Sequence, residues 1–91
     1  MARVVAILFA AGAFVHAAGF ALMLFGVDLY RPVYPAWRHA AMAIVDAAVA
    51  WVGWRHQRWL FVALPAWAAE QTLVNGFGVF PVVALIGVTA L

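Results

Sequence analysis

The longest uncharged stretch of the sequence decides which solvent surrounds this chain. From Val4 to Val27, 24 consecutive residues include no Asp, Glu, Lys or Arg. A helix rises about 1.5 Å per residue, so the stretch is long enough to cross a hydrocarbon core of about 30 Å with some tilt. We therefore expect the helices of this chain to lie in a lipid bilayer.

Composition points to the same solvent. Hydrophobic residues make up 70% of the sequence and charged residues 9%, whereas soluble domains are about half apolar and a quarter charged. The first apolar stretch exceeds the roughly 7 to 15 residues of a signal-peptide core, which favours a retained span over a cleaved leader. One small transmembrane domain covering residues 1–91 is expected.

The sequence predicts an all-α fold, a small antiparallel bundle of four transmembrane helices. Prolines, glycines and a basic segment interrupt the apolar stretches and divide the chain into spans of about 4–27, 36–54, 59–75 and 79–91. The last segment has 13 residues, or about 20 Å of helix, which is short for a full crossing. Three spans and a short C-terminal partial span are the alternative.

The arginines suggest an orientation. With the N-terminus on the cytoplasmic side, that side carries Arg3, Arg55 and Arg58, and the opposite side carries Arg31 and Arg38. An excess of basic residues in cytoplasmic loops is typical of multi-pass proteins, so we expect a cytoplasmic N-terminus. Because the arginines are scattered over short loops, we expect the bilayer and no nucleic acid as a partner.

Ionisable residues inside the predicted spans carry the most information about function. A carboxylate in hydrocarbon costs at least about 2.5 kcal/mol, so Asp46 and Glu70 should face the interior of the bundle and pair there. Counted along the helices from the outer boundary, His16, Asp46 and Glu70 lie at depths of roughly 16, 15 and 9 Å. The sequence therefore predicts that these three side chains meet in one polar layer.

A glycine face on the first span indicates how this layer forms. Gly12, Gly19 and Gly26 recur every seven residues, and His16 shares their face of the helix. Small residues on one stripe let a neighbouring backbone approach closely. We expect the first span to pack this face against the second span, which brings His16 towards Asp46.

Six residues form the candidate binding pocket: His16, Arg38, His39, Asp46, Glu70 and Gln71. In it Asp46 or Glu70 would donate or accept a proton, and His16 would act as its relay. Arg38 and His39 are expected near the outer rim, where Arg38 would anchor an anionic head group.

Known cofactor and catalytic signatures are missing from the sequence. Haem on His16 and His39 is disfavoured, because their estimated depths differ by roughly 11 Å. There is no Glu-x-x-His pair, His-Glu-x-x-His motif, phosphate loop or nucleophile elbow. We therefore expect no cofactor and no metal, and the sequence identifies no catalytic residue.

Two functions compete at this point. The sequence favours a non-enzymatic integral membrane protein that packs against itself or a larger membrane complex through its buried polar layer. The alternative is a membrane-embedded small-molecule module, either an isomerase-like enzyme or a binder of a lipid or quinone-type ligand, that uses the outward-facing pocket. Whether the protein is an enzyme stays open. A transporter would require assembly into an oligomer.

Overall fold

A computed structural model describes residues 1–27, 35–75 and 78–91, apart from the side chain of Asn75. The regular structure of these residues is entirely helical, as predicted, and no strand occurs in them. The elements are α1 (Ala2–Leu24), α2 (Ala36–Arg55), a 3-10 turn (Gln57–Trp59), α3 (Leu60–Asn75) and α4 (Phe80–Ala90).

The helix ends lie within three residues of the predicted segment ends, and the largest difference is at the end of α1. Gly26 adopts a left-handed backbone with φ of 83°. Its N–H donates to Met23 O, and the N–H of Val27 donates to Leu22 O. This pair of hydrogen bonds is the Schellman motif that ends many helices. The expectation that Gly26 extends the packing face of α1 is therefore wrong, because Gly26 lies beyond the helix.

Close helix contacts depend on small residues. A Cβ atom placed on Gly53 of α2 would lie 3.2 Å from Cβ of Ala6 in α1. The main apolar core joins all four helices and consists of Ala2, Val5, Val49, Leu60, Leu64, Ala68 and Ala84. The bundle is thus held together by apolar packing at the end where α1 begins and α3 begins.

Among the helices that the structure describes, only α1 is long and apolar enough to cross a membrane, with a mean hydropathy of 2.1. Arg38, His39 and Asp46 lower the hydropathy of α2, and α3 has only 16 residues. A signal sequence near an N-terminus would meet the same criteria of length and hydropathy as α1. The four-span arrangement therefore stays a prediction, as does the N-terminal orientation, and Arg31 lies outside the described residues.

Candidate functional site

The centre of the polar layer lies where α2 crosses α1. The carboxylate of Asp46 packs against the backbone of Gly12. His16 follows Gly12 by four residues, and its Nε2 atom lies 4.0 Å from Oδ2 of Asp46. The expected approach of His16 to Asp46 is confirmed, and Gly12 is the glycine of the expected face that contacts Asp46.

The second imidazole corrects the sequence-based estimate of depth. Nδ1 of His16 lies 3.4 Å from Nδ1 of His39, although the expected difference in depth was about 11 Å. That estimate counted from Val27, whereas α1 ends at Leu24, which removes about 4.5 Å at helical rise. The rest of the expected difference lies along the helix axes, and the two side chains extend across it to meet. His39 lies in the first turn of α2 and its side chain is 1% exposed, so it is buried among the helices at that end.

The two imidazoles constrain each other's protons. In a hydrogen bond between two Nδ1 atoms, one ring must donate and the other must accept. When His39 donates, a neutral His16 carries its proton on Nε2, the atom that faces Asp46. His39 and His16 can then share a proton, whereas the 4.0 Å between Nε2 of His16 and Oδ2 of Asp46 exceeds hydrogen-bonding distance.

Glu70 is placed differently from the expectation. Its Oε1 atom lies 2.7 Å from Nη2 of Arg38, so it pairs with this arginine rather than with His16 and Asp46. Arg38 itself lies in the first turn of α2 and is 5% exposed. A buried guanidinium requires a counter-charge, and the long arginine side chain reaches from α2 to Glu70 on α3.

Gln71 joins the two parts of this network. Its Nε2 atom donates to Oε2 of Glu70 and to Sδ of Met42, both at 2.7 Å. Gln71 is 2% exposed. The amide therefore links α3 to α2 beside the ion pair and fixes the position of Glu70.

A cavity of about 390 Å³ lies between all four helices. Its polar wall contains five of the six expected site residues, and Glu70 stands behind this wall as the partner of Arg38. The residues that line the cavity are Leu8, Phe9, His16, Arg38, His39, Met42, Asp46, Trp67, Gln71, Phe80 and Val83.

Aromatic rings form a further part of the cavity lining, here called the aromatic wall, which was not predicted as part of the site. Trp67 packs edge-on against Phe9 and Phe80, with ring centroids 5.0 and 5.8 Å apart. The sequence feature that could have identified Trp67 as a site residue is its position in the middle of a helix, because Trp51, Trp54 and the remaining tryptophans lie near helix ends. Phe9 and Phe80 gave no such signal among the many apolar residues.

Several buried polar atoms of the cavity residues have no hydrogen-bond partner among the described residues. They include Nε of Arg38, Oδ1 of Asp46 and Nε1 of Trp67. The Trp67 N–H is near enough to interact with the Asp46 carboxylate, but without the geometry of a hydrogen bond. Buried polar atoms are normally paired, and the described side chains do not pair these.

Within the described ranges, no group of three His, Asp or Glu side chains is arranged to hold a metal ion. Comparison with known proteins gives no match to a protein-family model, a curated protein or a solved structure. The site must therefore be interpreted from its own chemistry.

Proposed function

We propose that this chain is a multi-pass membrane protein whose four helices hold a small amphiphilic molecule. The observation that carries the proposal is the cavity between the helices, whose lining combines imidazole, carboxylate and guanidinium groups with aromatic rings. Its volume of about 390 Å³ lies within the roughly 300 to 1,000 Å³ typical of small-molecule pockets.

The outer surface supports the membrane location. Large apolar side chains are exposed on several helices, for example Phe14 of α1 at 76%, Ile44 of α2 at 70% and Leu73 of α3 at 86%. Soluble monomers rarely expose apolar patches of more than a few hundred Å². Lipid would cover this surface, and the arginines at the start of α1 and the end of α2 favour a cytoplasmic N-terminus.

The unsatisfied atoms favour ligand binding over a purely structural polar layer. Side chains that only join helices should satisfy one another, because an unpaired polar group in an apolar interior is costly. Nε of Arg38 and Oδ1 of Asp46 are buried and lack such a partner in the described part of the chain. A ligand with both a donor and an acceptor would satisfy these two atoms when the side chains turn towards the cavity, because both atoms are buried in the structure.

These groups define the ligand class. Asp46 would accept a hydrogen bond from a hydroxyl group, and Arg38 would donate to a hydroxyl or carbonyl oxygen. Trp67 and Phe9 would contact the apolar body of the molecule. If the protein is an enzyme, Asp46 would donate a proton to the ligand or accept one from it, with His16 as the relay, as an isomerase-like reaction requires.

The test is retention of a small molecule by the purified protein. Native mass spectrometry after extraction in mild detergent should show a bound species that organic solvent removes. Asp46→Asn keeps the shape of the side chain but removes its charge, and we expect retention to fall by about tenfold, as for one strong hydrogen bond. Thr89→Val, which alters an exposed hydroxyl on α4, serves as control. An empty wild-type protein, or full retention in Asp46→Asn, would refute the proposal.

A second candidate function, packing against itself or a larger membrane complex, is favoured by a groove between α3 and α4. The groove has a volume of about 620 Å³ and contains Ala68, Ala69, Thr72 and Ala84. Small residues four apart, such as Ala68 and Thr72, let another helix approach closely. The hydroxyl of Thr72 is buried without a hydrogen-bond partner among the described residues.

The same mass spectra test this candidate. A bound protein or a second copy should be lost from Ala69→Leu, which fills the groove at an exposed position, while the cavity ligand is retained. Ala18→Leu, at an exposed position of α1, is the matched control. A wild-type chain that is monomeric and without a partner protein in mild detergent would exclude this function.

A further inference from the structure

Basic side chains meet at the end of the bundle where α1 begins and α2 ends. Arg3 comes from the first turn of α1, Arg55 is the last residue of α2, and His56 and Arg58 follow in the connection to α3. We call this group of four residues the basic end. It is separate from the polar cavity, and the proposed ligand-binding function does not use it.

An open cleft of about 750 Å³ lies between these side chains. It is lined by Arg3, Trp54, Arg55, His56, Gln57, Arg58 and Trp59. The guanidinium carbon of Arg3 lies 4.7 Å from the ring centroid of Trp54, and that of Arg55 lies 5.3 Å from the ring centroid of Trp51. Stacking of this kind occupies the face of a guanidinium and leaves its N–H edge available.

The basic end has no acidic side chain beside it in the part of the chain that the structure describes. The sequence contains three acidic residues. Of these, Asp46 lies next to His16 and Glu70 pairs with Arg38, while Asp28 lies outside the described residues. Three arginines are thus concentrated in one cleft with their positive charge uncompensated by the described side chains.

We infer that this cleft binds the phosphate group of an anionic membrane lipid. The planar guanidinium groups match phosphate oxygens in pairs, and Trp54 and Trp59 are exposed as expected for rings at the level of lipid head groups. Basic pockets between transmembrane helices on the cytoplasmic side are typical sites for such head groups. The inference rests on the proposed membrane location but not on the identity of the cavity ligand.

The test is a titration of the full chain in neutral detergent with phosphatidylglycerol or phosphatidylcholine. Bound lipids are counted by native mass spectrometry, and a change in tryptophan fluorescence reports lipid binding at the cleft. Phosphatidylglycerol should bind at least about tenfold more tightly than phosphatidylcholine, given the three arginines. Inorganic phosphate at the same concentration should not displace it. Equal binding of the two lipids, or displacement by inorganic phosphate, would overturn the inference.

Substitutions locate the site. Arg58→Gln and Arg3→Gln should each weaken binding of phosphatidylglycerol about fivefold, the typical effect of one basic residue near an anionic lipid surface. Arg58→Lys keeps the charge and should retain most of the binding, and Thr89→Val should retain all of it. Unchanged binding in both Gln variants would refute the site. The cavity ligand appears in the same spectra, so failure of this inference is distinguishable from failure of the proposed function.

Discussion

A Cβ atom placed on Gly12 would lie 2.9 Å from Oδ2 of Asp46. This separation is shorter than carbon and oxygen atoms normally adopt, so only a glycine lets α1 and the carboxylate come this close. The same oxygen lies 4.0 Å from Nε2 of His16. Gly12 therefore sets the position of Asp46 relative to both the imidazole and the cavity.

Gly12→Ala should displace the Asp46 carboxylate and lower ligand retention, by less than Asp46→Asn because the displaced atom is the end of a flexible side chain. The fold should persist, because alanine is favoured over glycine in a helix by about 1 kcal/mol. Circular dichroism would report the helix content, and native mass spectrometry would report the ligand. Ala18→Val, on the exposed side of α1, is the control for added volume. Full ligand retention in Gly12→Ala would show that the position of Asp46 does not matter.

The ion pair between Arg38 and Glu70 should couple α2 to α3. Glu70→Ala leaves the buried guanidinium without its counter-charge, although the Glu70 side chain is 35% exposed and water screens part of the effect. In a double-mutant cycle with Arg38→Met, we expect a coupling free energy of about 0.5 to 3 kcal/mol. Unfolding in mixed micelles would measure the free energy of unfolding of each variant. Additive losses would indicate that the pair contributes no stability.

Trp67 offers a separate test of the aromatic wall. Trp67→Phe keeps a ring between Phe9 and Phe80 but removes the indole N–H. If that N–H binds the ligand, affinity should fall by up to about tenfold, the usual contribution of one hydrogen bond, while stability changes little. Trp59→Phe, at an exposed position outside the cavity, is the control, and an equal effect of both variants on affinity would argue against a contact through Trp67.

The helices and the contact of α1 with α2 could be predicted from sequence because they depend on local patterns. The prolines, glycines and basic segment between the apolar stretches predicted the helix ends to within three residues, and the glycine spacing predicted the approach of His16 to Asp46. The position of His39 could not be obtained this way, because a depth count follows the helix axis and ignores where a side chain extends. The pairing of Glu70 with Arg38 depends on the reach of the arginine between helices, which no spacing along one helix encodes.

The multi-pass topology is testable with single cysteines, because the chain contains none. Gln57 and Gly78 are exposed and lie at opposite ends of α3, a helix of about 24 Å at helical rise. In intact cells, a membrane-impermeant maleimide should label Gly78→Cys but not Gln57→Cys, which should react only after the membrane is opened. This result would place the two ends of α3 on opposite sides and Gln57 on the cytoplasmic side. Labelling of both residues from outside would mean that α3 does not cross the membrane, and the reverse pattern would mean that the N-terminus lies outside.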